Sequence, residues 1–141
     1  MPSADHQWLV VWLARRMRRD GFNILGADAA GYASRIEEGL PPSMCLGPIR
    51  PDVIAMNKGR TIAVGEAKTV RDISNAHTSC QLAAALAMRS RSGQRVAVYL
   101  AFPRAGLRAA ARLIVGLGLR ASLRIILVPV PDPIVDVGEW R

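Results

Sequence analysis

The sequence lacks the features that define secreted disulfide scaffolds, zinc ribbons and membrane proteins. It contains only two cysteines, Cys45 and Cys80, which lie far apart and have no partner at the spacing of a zinc site. No apolar run approaches the roughly 20 residues that a membrane helix requires. A signal peptide is not indicated, because the apolar stretch of residues 8–13 precedes the basic cluster of residues 15–19. We therefore expect an intracellular, cytoplasmic protein that has no membrane segment.

Negative charge is also scarce. The chain has 19 Lys and Arg residues against 11 Asp and Glu, a formal net charge of +8 and an isoelectric point near 11.0. A basic surface gains affinity for a polyanion by releasing the counterions condensed on its phosphates, so nucleic acid is the first partner to consider. Charge by itself does not identify that partner, since basic proteins occur in many functional classes.

The distribution of apolar residues predicts one domain that covers residues 1–141. Half of the residues are apolar, and there is no repeat or linker-like change in composition. Periodicity and turn signals predict helices at residues 4–20, 74–91 and 104–117, and strands at residues 22–25, 51–56, 61–68, 95–102 and 123–130. Residues 28–48 are predicted to form a long loop. The order α-β-β-β-α-β-α-β indicates an α/β fold with helices packed on a mixed sheet.

Two of these strands form a predicted hairpin that carries charged residues in otherwise apolar surroundings. Asp52 begins the first strand. Glu66 and Lys68 end the second strand, and their side chains leave the same face because they are two residues apart. We expect a three-residue loop at residues 57–59, ending in a left-handed glycine, to place Asp52 opposite Val64. In that register Asp52 lies on the face of Glu66 and diagonally beside it.

The pair of carboxylates indicates a particular chemistry. Two carboxylates a few ångströms apart repel each other, so such a pair is normally found around a shared proton or a cation. Together with a backbone carbonyl and water, Asp52 and Glu66 would supply the oxygen ligands that suit Mg²⁺ or Mn²⁺. Lys68 can contact both an attacking water and the charge that grows on a phosphate oxygen. The chemistry implied is metal-assisted hydrolysis of a phosphodiester.

This arrangement resembles the PD-(D/E)xK nuclease superfamily. The sequence has the pair Pro51-Asp52 and then the run Glu66-Ala67-Lys68, placed on adjoining predicted strands. The resemblance implies a restriction-endonuclease-like three-layer sandwich. It also implies that Asp52 and Glu66 bind Mg²⁺, for which Mn²⁺ can substitute. In the same way it implies that the Ala67 backbone carbonyl is a further ligand and that Lys68 assists the attacking water.

Two further features concern the branch within that superfamily. The resemblance spans roughly residues 4–130, and it implies a catalytic role for Gln81, since many members carry a glutamine that holds water or phosphate on the helix after the lysine strand. Small resolvases of Holliday junctions, which are similar in size and basicity, place an additional glutamate on the first helix. This sequence has none there, and the alternatives are Asp5, His6, Gln7, Asp28, Glu37 and Glu38. The number of metal ions therefore stays open.

Two groups of arginines are candidates for contact with nucleic-acid phosphates. Arg104, Arg108 and Arg112 recur every four residues along a predicted helix, and Arg15 and Arg16 belong to the basic cluster that ends the first helix. Such groups are commonly solvated faces. Beside a nuclease motif, contact with phosphates becomes a specific hypothesis.

The sequence therefore predicts an Mg²⁺-dependent deoxyribonuclease that cuts DNA as an endonuclease, with structure-selective or weakly sequence-specific cleavage. A domain this small offers little surface for recognising base sequence unless it forms a homodimer or joins a larger DNA-processing complex. A junction resolvase, a replication-repair nuclease, a restriction subunit and a transposon end-cleaving subunit all remain open. The alternative is a nucleic-acid-binding or assembly subunit that retains the nuclease fold without cutting.

Overall fold

A five-stranded mixed sheet with helices on both faces forms the centre of the protein in the computed structural model, which describes residues 4–132. The helices are α1 (Ala4–Arg19), α2 (Val70–Ile73), α3 (Ala76–Ala87), α4 (Leu107–Leu117) and α5 (Leu119–Arg124). The strands are β1 (Asn23–Ala27), β2 (Val53–Met56), β3 (Ile62–Ala67), β4 (Ala97–Pro103) and β5 (Ile125–Val130). The predicted α/β class is confirmed. Within residues 4–132, none of the helices has the length and apolar composition needed to cross a membrane.

The strands lie across the sheet in chain order, β1-β2-β3-β4-β5. β2 pairs antiparallel with β1 and with β3, whereas β4 pairs parallel with β3 and with β5. The two parallel connections contain helices, because a parallel crossover must carry the chain back along the sheet. The carboxyl ends of β3, β4 and β5 consequently meet at one edge of the sheet, and the amino end of β2 lies at the same edge.

The first helix, α1, covers one face of the sheet and packs closely on the β2–β3 hairpin. Its apolar side chains recur with helical spacing and are fully buried, including Leu13 and Met17. The facing strand positions are small. A Cβ added at Gly65 would lie 2.8 Å from Cδ2 of Leu13, so glycine at this position sets the depth at which α1 packs.

The other helices cover the opposite face, and two of the predicted elements differ there. The predicted helix at residues 74–91 is shorter, since α3 ends at Ala87 and is preceded by the separate short helix α2. The predicted strand at residues 123–130 begins two residues later, because Leu119–Arg124 form α5. Gly118 separates α4 from α5 with a φ of 101°, a conformation that side-chain-bearing residues rarely adopt.

The turn of the β2–β3 hairpin lies one residue further along the chain than predicted. The carbonyl of Asn57 accepts a 3.0 Å hydrogen bond from the Arg60 N–H, and its side-chain oxygen accepts one of 2.9 Å from the Thr61 N–H. Asparagine is favoured at the first position of such a turn for this reason. Arg60, and not Gly59, therefore has the left-handed conformation, with a φ of 65°.

This shift changes the register of the hairpin by two positions, so each side chain stays on the face of the sheet that was predicted for it. Ile54, rather than Asp52, lies opposite Val64, so the predicted pairing is wrong. The last strand pair is Val53 with Gly65, and continuing the register by one pair places Asp52 directly opposite Glu66. The prediction that Asp52 and Glu66 share a face is confirmed, because a shift of two residues leaves every side chain on its original face.

Residues 28–48 follow β1 and pack along its end. They contain a 3₁₀ helix, Ala30–Arg35. The N–H of Ala27 donates to the Pro41 carbonyl at 3.1 Å, and a Cβ added at Gly26 would lie 2.5 Å from the Pro42 carbonyl oxygen. This close approach holds the segment against the sheet edge near the start of β2.

Candidate active site

Asp52 lies at the sheet edge where β2 begins and β3 ends. Its Oδ2 accepts a 2.8 Å hydrogen bond from the Ala67 N–H and lies 3.3 Å from Nε2 of His6 on α1. Its backbone carbonyl accepts a 2.8 Å hydrogen bond from the Asp28 N–H. The side chain is 17% exposed and faces a cleft of about 410 Å³, which His6 and Asp28 also line. Three segments of the chain therefore position a carboxylate that solvent can still reach.

The proline before Asp52 leaves the carbonyl of Ala67 without a donor from the neighbouring strand. Continuing the hairpin register places Ala67 opposite Pro51, which has no N–H. In a hydrogen-bonded antiparallel pair, the N–H and carbonyl of one residue point to the same side, and the N–H of Ala67 is directed at Asp52. The carbonyl of Ala67 therefore points to the side of Asp52, where it also accepts a hydrogen bond from the His6 side chain that helps to raise the pKa of His6. The Pro51 carbonyl accepts from the Ser43 hydroxyl instead.

Glu66 is the buried member of the carboxylate pair, with 3% of its surface exposed. The pKa of Glu66 is raised to about 8, mainly by burial and also by the like charge of Asp52 and a hydrogen bond between the two side chains. The positive charge of Lys68 acts in the opposite direction. At neutral pH and without a cation, Glu66 is therefore protonated, because two carboxylates this close cannot both ionise cheaply. A divalent cation bound between them would replace that proton.

We expect Glu66→Gln to stabilise the metal-free protein at about pH 9 and to have little effect at about pH 5. With a folded-state pKa of about 8 and an ordinary value of 4.5, Glu66 binds more protons in the folded state between these two values. The free energy of unfolding therefore decreases as the pH rises through this range. Glutamine has nearly the same shape and carries no charge, so it removes the cost of burying the ionised group.

Thermal unfolding in a chelator at both pH values measures this difference. Glu38→Gln, which neutralises an exposed carboxylate, is the matched control. An equal change in stability at the two pH values for Glu66→Gln would contradict the raised pKa.

Lys68 follows β3 and lies on the same face as Glu66. Its backbone N–H donates to the Ala101 carbonyl at 2.9 Å, which extends the parallel pairing with β4 by one step. Its Nζ donates to Oε1 of Gln81 on α3 at 2.5 Å. The helix that carries Gln81 is capped by the side chain of Asn75, which fixes where it starts. Gln81 thus orients the ammonium group of Lys68 beside Glu66.

Among the alternatives on the first helix and the following loop, His6 contacts Asp52 directly. The hydrogen bond to Asp52 raises the pKa of His6 above its ordinary 6.5, and burial opposes this effect. His6 reaches the site because α1 lies across the hairpin with its amino end at the same sheet edge. A polar side chain of the first helix thus holds Asp52 in place.

The remaining acidic alternatives are engaged elsewhere or exposed. Asp28 lines the cleft, but its two carboxylate oxygens accept from Arg50 at 3.2 Å each, and one of them also accepts from the Ser43 N–H at 2.9 Å. Glu37 pairs with Arg18 at 3.0 Å. Asp5 and Glu38 are exposed. Asp28 supports Asp52 through its backbone, a role that follows from the antiparallel pairing of the end of β1 with the start of β2.

The arginines predicted to contact nucleic acid occupy two faces of the molecule. Arg15 and Arg16 lie on α1, where Arg15 donates to a backbone carbonyl at 3.3 Å and Arg16 pairs with Asp20 at 3.1 Å. The other three are exposed along α4 and the 3₁₀ helix before it: Arg104, Arg108 and Arg112. The structure therefore groups these three together and separates them from the pair on α1.

Comparisons of the chain with protein-family models, with curated proteins and with solved structures find no match. Within residues 4–132, no group of three or more His, Cys, Asp and Glu side chains has the arrangement of a metal site. The candidate site uses two carboxylates, with a backbone carbonyl and water as the other oxygen ligands. This donor set fits Mg²⁺ or Mn²⁺, because both prefer oxygen ligands and Mg²⁺ usually retains several waters.

Proposed function

We propose that the protein is a metal-dependent endonuclease of the PD-(D/E)xK superfamily, with a restriction-endonuclease-like fold, that hydrolyses phosphodiester bonds in DNA. The observation that carries the proposal is the pairing of Asp52 with the buried Glu66, with Lys68 on the same face. Such a pair destabilises the fold unless a proton or a cation neutralises it, and strongly shifted pKa values concentrate at functional sites. The order of helices and strands supports the same assignment.

Each residue of the site has a distinct role in this proposal. When bound, Mg²⁺ or Mn²⁺ would polarise the phosphoryl group and lower the pKa of the attacking water. Asp52 and Glu66 supply charged oxygens to the ion, and the Ala67 carbonyl supplies a neutral one. Lys68, held by Gln81, donates to the attacking water or to the phosphate oxygen on which negative charge develops.

A non-catalytic nucleic-acid-binding or assembly subunit is the second candidate. The contacts of Asp52 favour it, because one carboxylate oxygen already accepts from the Ala67 N–H and lies beside His6. A protein that only binds nucleic acid would keep such contacts permanently. A nuclease would use the second oxygen of Asp52 for the ion.

Incubation with four DNA structures separates these two candidates. Linear duplex, single strand, flap and four-way junction DNA are each combined with Mg²⁺, with Mn²⁺ or with a chelator. We expect cleavage with either ion and none with the chelator, and the relative rates rank the structures. Cleavage that persists in the Asp52→Asn variant would reveal a contaminating nuclease. Binding of every substrate without cleavage would establish the non-catalytic candidate.

The arginine stripe of α4, formed by Arg104, Arg108 and Arg112, gives a separate prediction. If these side chains contact phosphates, replacing all three by alanine should weaken binding similarly for every DNA sequence. In a plot of log affinity against log salt concentration, the magnitude of the slope should decrease by about 0.9 for each lost contact. Affinity measured at several salt concentrations tests this, with Arg19→Ala on α1 as the control for charge alone. Unchanged affinity and slope would identify the stripe as a solvated face.

A further inference from the structure

One continuous segment carries the entire net charge of the protein. Residues 73–131 contain eight arginines and no Asp, Glu or Lys, whereas the rest of the chain contains 11 basic and 11 acidic residues. The segment forms α3, β4, α4, α5 and β5, and its helices cover the sheet face opposite α1. Positive charge is therefore concentrated on one side of the molecule, because this segment contains no acidic side chain that would neutralise its arginines.

Four arginines of this segment line a single groove between α3, α5 and the turn before β4. They are Arg89, Arg95, Arg120 and Arg124. The rest of the described lining consists of alanine and leucine side chains, and no carboxylate from residues 4–132 contributes to it. A guanidinium group presents paired N–H donors that match the oxygens of a phosphate. The groove therefore has the charge and the type of donor group that an anion-binding surface requires.

Arg124 is the groove arginine that two backbone hydrogen bonds hold in place. Its guanidinium donates to the Leu86 carbonyl at 2.7 Å and to the Val96 carbonyl at 3.0 Å. Burial, together with the positive charges of Arg95 and Arg89, lowers the pKa of Arg124 below its usual value. The like charges therefore repel one another, and a bound anion would relieve that repulsion.

The groove lies on the same sheet face as the catalytic lysine, further along α3. Leu86 follows Gln81 by five residues, which corresponds to about 7.5 Å along the helix axis. Arg95 precedes Leu100, the β4 residue that pairs with Glu66, by five residues, or about 17 Å of extended chain.

We propose that this groove binds backbone phosphates of the nucleic acid whose scissile bond enters the candidate active site. The assignment of the anion as nucleic acid rests on the proposed nuclease function. The groove would hold the duplex to one side of the cut and contribute to affinity for every sequence, because phosphates carry no base information. This surface differs from the α4 stripe and from the α1 cluster.

Fluorescence anisotropy with a labelled duplex in a chelator tests the groove without cleavage. The variant Arg95→Gln/Arg120→Gln should lose about tenfold in affinity for each broken contact at about 0.1 M salt, the scale of a hydrogen bond to a charged group. The slope of its log affinity against log salt concentration should decrease in magnitude by about 0.9 per contact. Arg124 is left unchanged because it also bonds two backbone carbonyls. The variant Arg19→Gln/Lys58→Gln removes the same charge from exposed positions on α1 and in the hairpin turn, and should lose much less affinity.

Three outcomes decide between the alternatives, with thermal unfolding confirming that each variant folds. Equal losses of affinity in the two double variants would overturn the groove proposal. Binding of inorganic phosphate that is lost in the Arg95→Gln/Arg120→Gln variant, with unchanged affinity for DNA, would assign the groove to a free phosphate compound and overturn the nucleic-acid assignment. A selective loss of DNA affinity in a protein that never cleaves DNA would support the groove and refute the nuclease function.

Discussion

Replacing Lys68 by alanine is expected to slow DNA cleavage by about a hundredfold or more, the scale observed when one donor to developing charge is removed. The ammonium group lies on the face of Glu66 and is held by Gln81 at 2.5 Å. In the proposed mechanism it stabilises charge that grows only in the transition state. Substrate binding should therefore change far less than the rate of cleavage.

Single-turnover cleavage and equilibrium binding, measured on the same DNA, separate the two effects. Lys58→Ala is the matched control, because Lys58 lies exposed in the hairpin turn at the other end of β3. Gln81→Ala should reduce cleavage less than Lys68→Ala, since it loosens the lysine and leaves its charge in place. Lys68 is not catalytic if the Lys68→Ala variant cuts as fast as the parent protein.

The variant Asp52→Asn is expected to lose binding of the divalent cation and to slow cleavage by about a thousandfold, because a metal contributes several kcal/mol to the stabilisation of phosphoryl charge. In the parent protein the Ala67 N–H donates to Oδ2 of Asp52 at 2.8 Å. The carboxamide of asparagine has the same shape as the carboxylate, and its oxygen can accept the same hydrogen bond. The fold should therefore persist while the negative charge is lost. In a chelator, DNA binding should tighten, because a negative charge near phosphate is gone.

Calorimetric titration with Mn²⁺ provides a readout that does not depend on cleavage. In the parent protein at neutral pH, binding should release a proton, because Glu66, with a pKa of about 8, must ionise to act as a ligand. The release should disappear at about pH 9, where the folded protein already holds Glu66 ionised. Glu38→Gln is the control. Cation binding of equal strength in Asp52→Asn and in the parent protein would place the ion elsewhere.

Local turn chemistry was insufficient to predict the hairpin register. The sequence Asn57-Lys58-Gly59-Arg60 supports two three-residue loops that differ by one position. Glycine suits the left-handed position of one loop, whereas the asparagine side chain suits the first turn position of the other. The structure has the second loop, with Arg60 left-handed, and the pairing of the strands moves by two residues.

The sequence by itself determined the α/β class and the sharing of one face by Asp52, Glu66 and Lys68. Both follow from short-range physics. Helical and strand periodicities are properties of a few consecutive residues, and the face of a strand side chain depends only on whether its position is odd or even. The predicted register was wrong by two residues, and a shift of two does not change whether a position is odd or even. The prediction that these side chains share one face was therefore correct.

The tertiary structure alone decided which residues from distant parts of the chain meet at the site and in the groove. His6 contacts Asp52 because α1 lies across β2 and β3 at a depth set by Gly65, and the N–H of Asp28 reaches the Asp52 carbonyl because β1 pairs with β2. The four groove arginines converge because α3, α5 and the start of β4 meet at one end of the sheet. These contacts join segments far apart in sequence, and such proximity arises only when separate elements bury their apolar faces against one sheet.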